Sequence, residues 1–166
     1  MTNITAKTQF RLLIFIASIF LITKPTIGQN HYEKLKQFYK TNYEESCKKT
    51  TANDCQNLTN NLTAKICAVK KFLKTDSILH LYSDSVKAEI IKLNDSTLIT
   101  SFNSFQSSWK QYLSAKSLFI GRKYQMSNGH TKSIINIEAT TFLMELKVNE
   151  LKAILNYYQN QKLYLD

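Results

Sequence analysis

Apolar residues recur every three or four positions along most of this chain, which is the spacing of amphipathic α-helices. The pattern predicts four helices, at about residues 31–46, 59–93, 96–120 and 134–159. Apolar side chains in the last two repeat as heptads, which favours nearly aligned packing of neighbouring helices. The heptad positions of the third helix are Leu98, Phe102, Phe105, Trp109, Tyr112 and Phe119. Those of the fourth are Ile137, Thr141, Met144, Val148, Leu151, Leu155 and Tyr158. We therefore expect an all-α fold, a small bundle of three to four antiparallel helices.

Two connections complete this picture. The one near Leu93 is short, so the second and third helices should be antiparallel neighbours, and Asp95 is suited to cap the third. The connection from residue 121 to 132 contains the clear turn sequence Ser-Asn-Gly-His. Its segment 124–130 is the most exposed candidate for touching a protein partner, through Tyr124, Asn128 and His130.

Composition narrows the function classes. The 166 residues include only three Gly and one Pro. Phosphate-cradling loops, dinucleotide-binding turns and hairpin turns all depend on glycine. The sequence therefore excludes Walker-type and Rossmann-type nucleotide enzymes, together with all-β folds that have many turns.

The N-terminus reads as a secretory signal peptide over residues 1–28. Two basic residues, Lys7 and Arg11, precede a short apolar run, and small residues follow near Gly28. The run is shorter than the roughly 20 residues of a membrane-spanning helix. We expect export to the periplasm or the exterior of a bacterial host, with an uncleaved anchor as the alternative.

Export would place the three cysteines, Cys47, Cys55 and Cys67, in an oxidising compartment, so they are disulfide candidates. One of the three must remain unpaired. The three histidines are scattered and no Cys-x-x-Cys occurs, so a structural zinc site is not expected.

Basic residues outnumber acidic ones by 22 to 12, and 20 of the basic residues are lysine. Without the leader the formal charge falls from +10 to +7, of which residues 29–75 contribute +5. Lysines crowd one stretch of the second helix, with Lys70 and Lys74 the candidate partner-binding residues. This stretch is either a solvated helix face or a surface for anionic lipid or polysaccharide. No arginine cluster or interleaved aromatic set indicates specific nucleic-acid binding.

Two further features have a structural and a functional interpretation. Asp76 falls on an apolar helix face, where it is either hydrogen-bonded to a neighbouring helix or acts as a catalytic acid. Trp109 and Tyr112 form either an aromatic core layer or a platform for stacking a sugar or base. Because the sequence contains no recognisable set of nucleophile and base and no metal-binding cluster, we predict that the protein is not an enzyme and uses no cofactor.

The order of these residues resembles the LprI-like lysozyme-inhibitor N-terminal domain family, which consists of small exported bacterial helical proteins. The resemblance covers about residues 55–155. It rests on Cys55, Cys67, Asp76, Leu79, Tyr82, Gln106, Trp109, Tyr112 and Leu151. It divides the chain into a leader at 1–28, a loosely attached N-terminal helix at 29–54 and an LprI-like domain at 55–160.

The chain departs from the family pattern at four positions. Two arginines of the pattern are replaced by Leu113 and Lys147, and its third and fourth cysteines fall at Ser117 and near Ala139. The joint loss of two cysteines is what a paired disulfide would produce. The resemblance therefore implies a Cys55–Cys67 disulfide and a free Cys47, and a Cys47–Cys55 pair is the alternative.

The resemblance implies an exported, non-enzymatic protein that binds a lysozyme-type muramidase and blocks its cleft. The charge favours another partner, because a basic protein is repelled by the strongly basic animal lysozymes. The alternative is an envelope protein that binds anionic cell-wall or lipid material through its basic N-terminal part. In a eukaryotic host, the acceptor sequons at Asn57, Asn61 and Asn94 would instead suggest a secreted cytokine-like bundle.

Overall fold

The computed structural model describes residues 26–123 and 129–161, and within them every regular element is an α-helix. The helices are α1 (Thr26–Lys49), α2 (Ala52–Gln56), α3 (Asn61–Lys92), α4 (Ser96–Lys123) and α5 (Gly129–Gln161). The predicted all-α fold is confirmed, and the four predicted helices correspond to α1, α3, α4 and α5. The predicted leader lies outside the described residues except for 26–28, which begin α1.

The four long helices form a bundle in which α1 and α5 each pack against both α3 and α4. Helix α1 runs antiparallel to α3, because Tyr32 meets Asp76 whereas Cys47 meets Ile66. Helix α4 runs antiparallel to α5, with Ser117 opposite Asn136. Within residues 26–123 and 129–161, no helix has both the length and the apolarity to cross a membrane.

The core runs along the centre of this bundle. Phe72 of α3 is fully buried and contacts the ring of Tyr39, with 5.4 Å between centroids. Five of the seven heptad residues predicted for α5 are buried and two are partly buried against the core, so that pattern is confirmed. Each large apolar side chain removed from water contributes about 1.5–3 kcal/mol to folding.

Helix α1 is an integral part of the bundle, so the prediction of a loosely attached helix at 29–54 was wrong. Its Tyr32 and Tyr39 are only 2% and 3% exposed and belong to the main core. The hydroxyl of Tyr32 reaches across the centre of the bundle to Met144 Sδ of α5, at 3.9 Å. Two buried aromatic rings anchor the helix although its remaining positions are mostly polar, because each ring buries a large area.

The core face of α4 differs from the predicted heptad stripe. Phe105, Tyr112 and Phe119 are 37%, 53% and 59% exposed. The buried positions are Phe102, Leu113, Ser114, Ser117 and Ile120. From Phe102 to Ile120 the chain makes five turns of 3.6 residues, whereas a strict 3.5-residue repeat drifts about 20° per heptad from a straight helix. The heptad pattern therefore fails progressively toward the C-terminal end of α4.

Side chains set most of the helix boundaries. Thr51 and Asp54 form a capping box on α2, and Asn60 caps α3 through the backbone N–H of Thr63. Asp95 accepts a hydrogen bond from the backbone of Leu98 at 2.9 Å, as the sequence predicted. Asn94 lies before it with φ of 54°, a left-handed conformation that asparagine tolerates better than most residues.

Residues 121–123 and 129–132 of the predicted connection are helical in the structure. Helix α4 continues through Lys123 and α5 begins at Gly129, so the glycine opens a helix. Tyr124 and Asn128 lie outside the described residues. His130 belongs to the first turn of α5, and its side chain is likewise outside the described part.

Candidate functional site

A cleft of about 570 Å³ lies where α2 and the faces of α3 and α5 meet. One wall is the segment 51–58, which contributes Thr51, Ala52, Cys55 and Leu58. Helix α3 contributes Ala64, Cys67, Ala68, Lys70, Lys71 and Lys74. Helix α5 contributes Glu138 and Thr141. We call this site the lysine-rimmed cleft.

The helical repeat of α3 explains why its lysines share the cleft. Cys67, Lys70, Lys71 and Lys74 are spaced at i, i+3, i+4 and i+7, which places them on one face of an α-helix. The predicted partner-binding residues Lys70 and Lys74 are therefore brought together, and Lys71 joins them. The same spacing fixes the disulfide sulfur of Cys67 beside the lysines.

A disulfide between Cys55 and Cys67 holds the segment 51–58 against α3. This pairing is the one that the family resemblance implied. Helix α2 has no buried residue of its own, so few apolar contacts retain it. A second tie is the hydrogen bond from Lys70 Nζ to the carbonyl oxygen of Thr50, at 2.6 Å.

The three lysines of the cleft differ in their partners. Lys70 is bound to the Thr50 carbonyl, and Lys71 Nζ lies 2.9 Å from Glu145 Oε1. Lys74 is exposed, and within the described residues no hydrogen bond or ion pair engages its ammonium group. Glu138 contributes the one carboxylate of the described lining. The lining therefore carries three positive charges and one negative charge.

The carboxylate of Asp54 lies near Lys70 and offsets part of the positive charge of the cleft. Hydrogen bonds from Thr51 lower the pKa of Asp54, with a smaller contribution from Lys70. Asp54 is thus ionised at neutral pH and is occupied in capping α2. The ammonium group most available to an external anion is that of Lys74.

Cys47 is the unpaired cysteine, and the alternative Cys47–Cys55 pair does not occur. Its thiol is buried in α1 and faces the carbonyl oxygen of Ile66 at 3.8 Å. Burial raises the pKa of this thiol. It remains protonated at neutral pH and is a poor nucleophile toward the neighbouring disulfide.

Asp76 is buried at the α1–α3 interface and is paired there by side chains of α1. Its carboxylate accepts a hydrogen bond from the Tyr32 hydroxyl and lies 3.2 Å from Lys36 Nζ. His80, one turn further along α3, approaches it at 3.5 Å. Burial, reinforced by the neighbouring carboxylate, strongly raises the pKa of Tyr32. This cluster fulfils the expected hydrogen bonding to a neighbouring helix and joins α1 to α3.

The remaining residues of the family motif are distributed through the core. Leu79 and Leu151 are buried, and Tyr82 and Trp109 are partly buried against the core. Tyr112 is exposed, so the expectation of Tyr112 in an aromatic core layer was wrong. The Nε2 atom of Gln106 is buried and has no hydrogen-bond partner among the described residues. The motif residues therefore form no common cleft, and they act mainly in packing.

A second cleft, of about 560 Å³, lies between the end of α3, the start of α4 and the end of α5. Its described walls are mainly apolar and aromatic, with Glu150 at one side. Beside it Lys147 is buried, with its Nζ 3.0 Å from Glu150 Oε2 and over the ring of Phe105. Burial lowers the pKa of Lys147. The heptad repeat of apolar residues in α5 does not predict that Lys147 is buried.

The parts of the lysine-rimmed cleft that depend on tertiary packing were not predicted from the sequence. Helix α2, the wall residue Leu58 and the α5 residues Glu138 and Thr141 were not predicted as site residues. The available signal was the spacing of Cys67 and the three lysines, which marks one face of α3. Nothing in the sequence pattern states that α5 would lie opposite that face.

Among the described residues, no group of three or more His, Cys, Asp or Glu side chains is arranged to hold a metal ion. Comparison with protein-family models, with curated proteins and with solved structures gives no match to this chain. At the lysine-rimmed cleft, three ammonium groups border a volume of about 570 Å³.

Proposed function

We propose that this protein is an exported, non-enzymatic binding protein whose lysine-rimmed cleft holds an anionic group of cell-envelope material. The observation that carries the proposal is the ammonium group of Lys74, which lies at the cleft without an intramolecular ion pair in the described residues. An anion at this position gains charge-assisted hydrogen bonds, which are stronger than neutral ones.

The ion pair of Lys71 supports the same interpretation. Lys71 is 63% exposed and its partner Glu145 is 39% exposed. Solvent-exposed pairs of this kind contribute at most about 1 kcal/mol. An external anion can therefore replace Glu145 at low cost and recruit a second ammonium group. The charge of +7 that remains after removal of the predicted leader adds long-range attraction for an anionic surface.

Sedimentation with lipid vesicles tests this proposal. The protein lacking residues 1–28 should sediment with phosphatidylglycerol vesicles and not with phosphatidylcholine vesicles, and binding should weaken as ionic strength rises. Purified peptidoglycan provides a separate arm for cell-wall material.

Two variants on α3 connect binding to the cleft. Lys74→Gln should weaken retention several-fold, whereas Lys87→Gln, an exposed lysine outside the cleft on the same helix, should bind like the wild type. Equal loss in both variants would indicate a general charge effect. Equal binding to both kinds of vesicle, together with no retention on peptidoglycan, would overturn the proposal.

Lysozyme inhibition is the second candidate function, and it depends on the resemblance to the LprI-like family. The Cys55–Cys67 disulfide supports that resemblance. So does the contact of Ser117 with Asn136, one helical turn before Ala139, because the family's other two cysteines fall at Ser117 and near Ala139. A turbidity assay at low and moderate salt tests it. Failure to inhibit both a basic and an acidic lysozyme at micromolar protein would refute this function.

A further inference from the structure

The floor of the lysine-rimmed cleft is more apolar than a site for a bare anion requires. Ala52, Ala64 and Ala68 supply methyl groups, the disulfide supplies two sulfur atoms, and Leu58 forms part of the wall. Leu58 is 55% exposed, so much of its side chain is in contact with water. Apolar surface left in water costs about 25 cal/mol per Å² compared with burial. A ligand that carries an apolar part would cover this surface.

The polar and apolar parts of the cleft are separated along α3. Ala64 is near the first turn of the helix and Lys74 is ten residues later, a distance of about 15 Å along the helix axis. Leu58 precedes the start of α3, near the apolar end. Lys71 and Lys74 are at the other end. Along α3 the cleft thus presents apolar side chains at one end and ammonium groups at the other, while Glu138 and Thr141 of α5 add polar groups to the facing wall.

From this arrangement we infer that the lysine-rimmed cleft binds one molecule of an anionic amphiphile, which consists of a single alkyl chain and a phosphate or carboxylate headgroup. The inference rests on the proposed function and specifies its ligand. The headgroup contacts Lys71 and Lys74, and the alkyl chain covers the floor between the disulfide and Leu58. A volume of about 570 Å³ is within the range of small-molecule sites.

Isothermal titration calorimetry with dodecyl phosphate below its micelle concentration tests this inference. We expect one site per chain and an affinity at least tenfold higher than for inorganic phosphate. Dodecyl maltoside has the same alkyl chain and a neutral headgroup, and it should also bind at least tenfold more weakly. These three probes separate the contribution of the chain from that of the charge.

Two matched pairs of variants locate the ligand in the cleft. Leu58→Asp should weaken dodecyl phosphate binding at least tenfold, whereas Leu62→Asp, equally exposed at 54% but outside the cleft lining, should not change it. Lys74→Gln should weaken binding several-fold and Lys87→Gln should not. Thermal unfolding followed by circular dichroism establishes that all four variants are folded.

The possible results distinguish failure of this inference from failure of the proposed function. Phosphatidylglycerol binding that depends on Lys74, combined with no preference for dodecyl phosphate over inorganic phosphate, would overturn only the amphiphile. Equal binding of dodecyl maltoside, or no effect of Leu58→Asp, would also overturn it. If the wild-type protein binds neither phosphatidylglycerol vesicles, nor peptidoglycan, nor dodecyl phosphate, both proposals are refuted.

Discussion

Tyr32 of α1 donates its phenolic hydrogen to the Asp76 carboxylate of α3, and both side chains are buried. The two residues are 44 positions apart in the sequence, so the bond fixes the register of α1 on α3. Lys36 adds its ammonium group one turn later on α1, which partly compensates the buried negative charge. A carboxylate buried without such partners would strongly destabilise the fold.

Asp76→Ala should lower the free energy of unfolding by about 2–4 kcal/mol, because it leaves the Tyr32 hydroxyl without its acceptor. It also removes the nearer of the two carboxylates paired with Lys36, the other being that of Glu33. Tyr32→Phe should cost about 1.5–3 kcal/mol, the range for a hydrogen bond to a charged group. Urea denaturation measures both. His80→Ala should change stability by less than about 0.5 kcal/mol, because His80 is exposed and its contact with Asp76 is longer.

The double variant Tyr32→Phe/Asp76→Ala tests whether the two side chains act together. We expect a coupling energy of about 1–2 kcal/mol, since residues in direct contact are not additive. Additive losses would contradict the hydrogen bond as the link between α1 and α3.

Tyr39 makes stability depend on pH in the alkaline range. Burial raises its pKa from 10.0 to about 12. Between these values the native side chain keeps its proton while the unfolded one ionises, so stability falls as pH rises from about 10 to 12. The loss from this residue should approach about 2–3 kcal/mol at pH 12, at 1.36 kcal/mol per pKa unit.

Urea denaturation of Tyr39→Phe at pH 9, 10 and 11 checks this dependence. The variant should lose stability less steeply above pH 10 than the wild type. The exposed Tyr157→Phe is the control and should retain the wild-type slope. An unchanged slope in Tyr39→Phe would contradict the role of its buried hydroxyl.

The extent to which this structure follows from the sequence differs between helices. Helix α5 was predicted correctly because its apolar side chains remain on the core face for seven heptad positions. The close packing of α1 against the bundle was not predicted, because two buried tyrosines anchor an otherwise polar helix. The spacing of the lysines predicts that they share one face of α3. The cleft could not be predicted in this way, because it forms only where α2 and α5 pack beside that face. The spacing of apolar residues identifies the buried face of each single helix, but it does not indicate which helices pack against each other.

Leu113 and Tyr112 test the core face of α4 directly. Leu113 is fully buried, and Tyr112 is exposed although the heptad pattern assigns it to the core. Leu113→Ala should lower the free energy of unfolding by about 2–5 kcal/mol through lost burial and the resulting cavity. Tyr112→Ala should cost less than about 1 kcal/mol. A larger loss for Tyr112→Ala in urea denaturation would restore the heptad assignment.

Lys147 is a buried cation whose pKa is lowered by burial. The native chain binds fewer protons than the unfolded chain only between this lowered pKa and the ordinary value of 10.5, so stability rises with pH in that window. Below the window both states are protonated, and the buried charge lowers stability by its full amount. Lys147→Met should raise the free energy of unfolding at pH 7 by about 1 kcal/mol, as often occurs when a buried charge is replaced by an apolar side chain. The gain should decrease as pH rises toward 10.5.

Glu150→Gln is the matched change at the same ion pair. It removes the carboxylate from Lys147 Nζ and should destabilise the protein by about 1 kcal/mol at pH 7. Urea denaturation of both variants gives opposite signs if Lys147 is buried and charged. Destabilisation by Lys147→Met would indicate instead that the contact of its ammonium group with Phe105 outweighs the cost of burial.

The Cys55–Cys67 disulfide should control both global stability and the wall of the lysine-rimmed cleft. The double variant Cys55→Ser/Cys67→Ser should lose roughly 3 kcal/mol, the chain-entropy value for a loop of this length. Because α2 buries none of its residues, the segment 51–58 should also lose its hydrogen-exchange protection before α3 does. Dodecyl phosphate binding should weaken with it.

Cys47→Ala is the control for this disulfide, because it removes a cysteine from the same region without breaking the bond. It should retain protection of the segment 51–58 and change stability by about 1 kcal/mol or less. Hydrogen exchange read by mass spectrometry resolves the segment from α3. Retained protection in the double serine variant would mean that the hydrogen bond from Lys70 to the Thr50 carbonyl is sufficient to hold the wall.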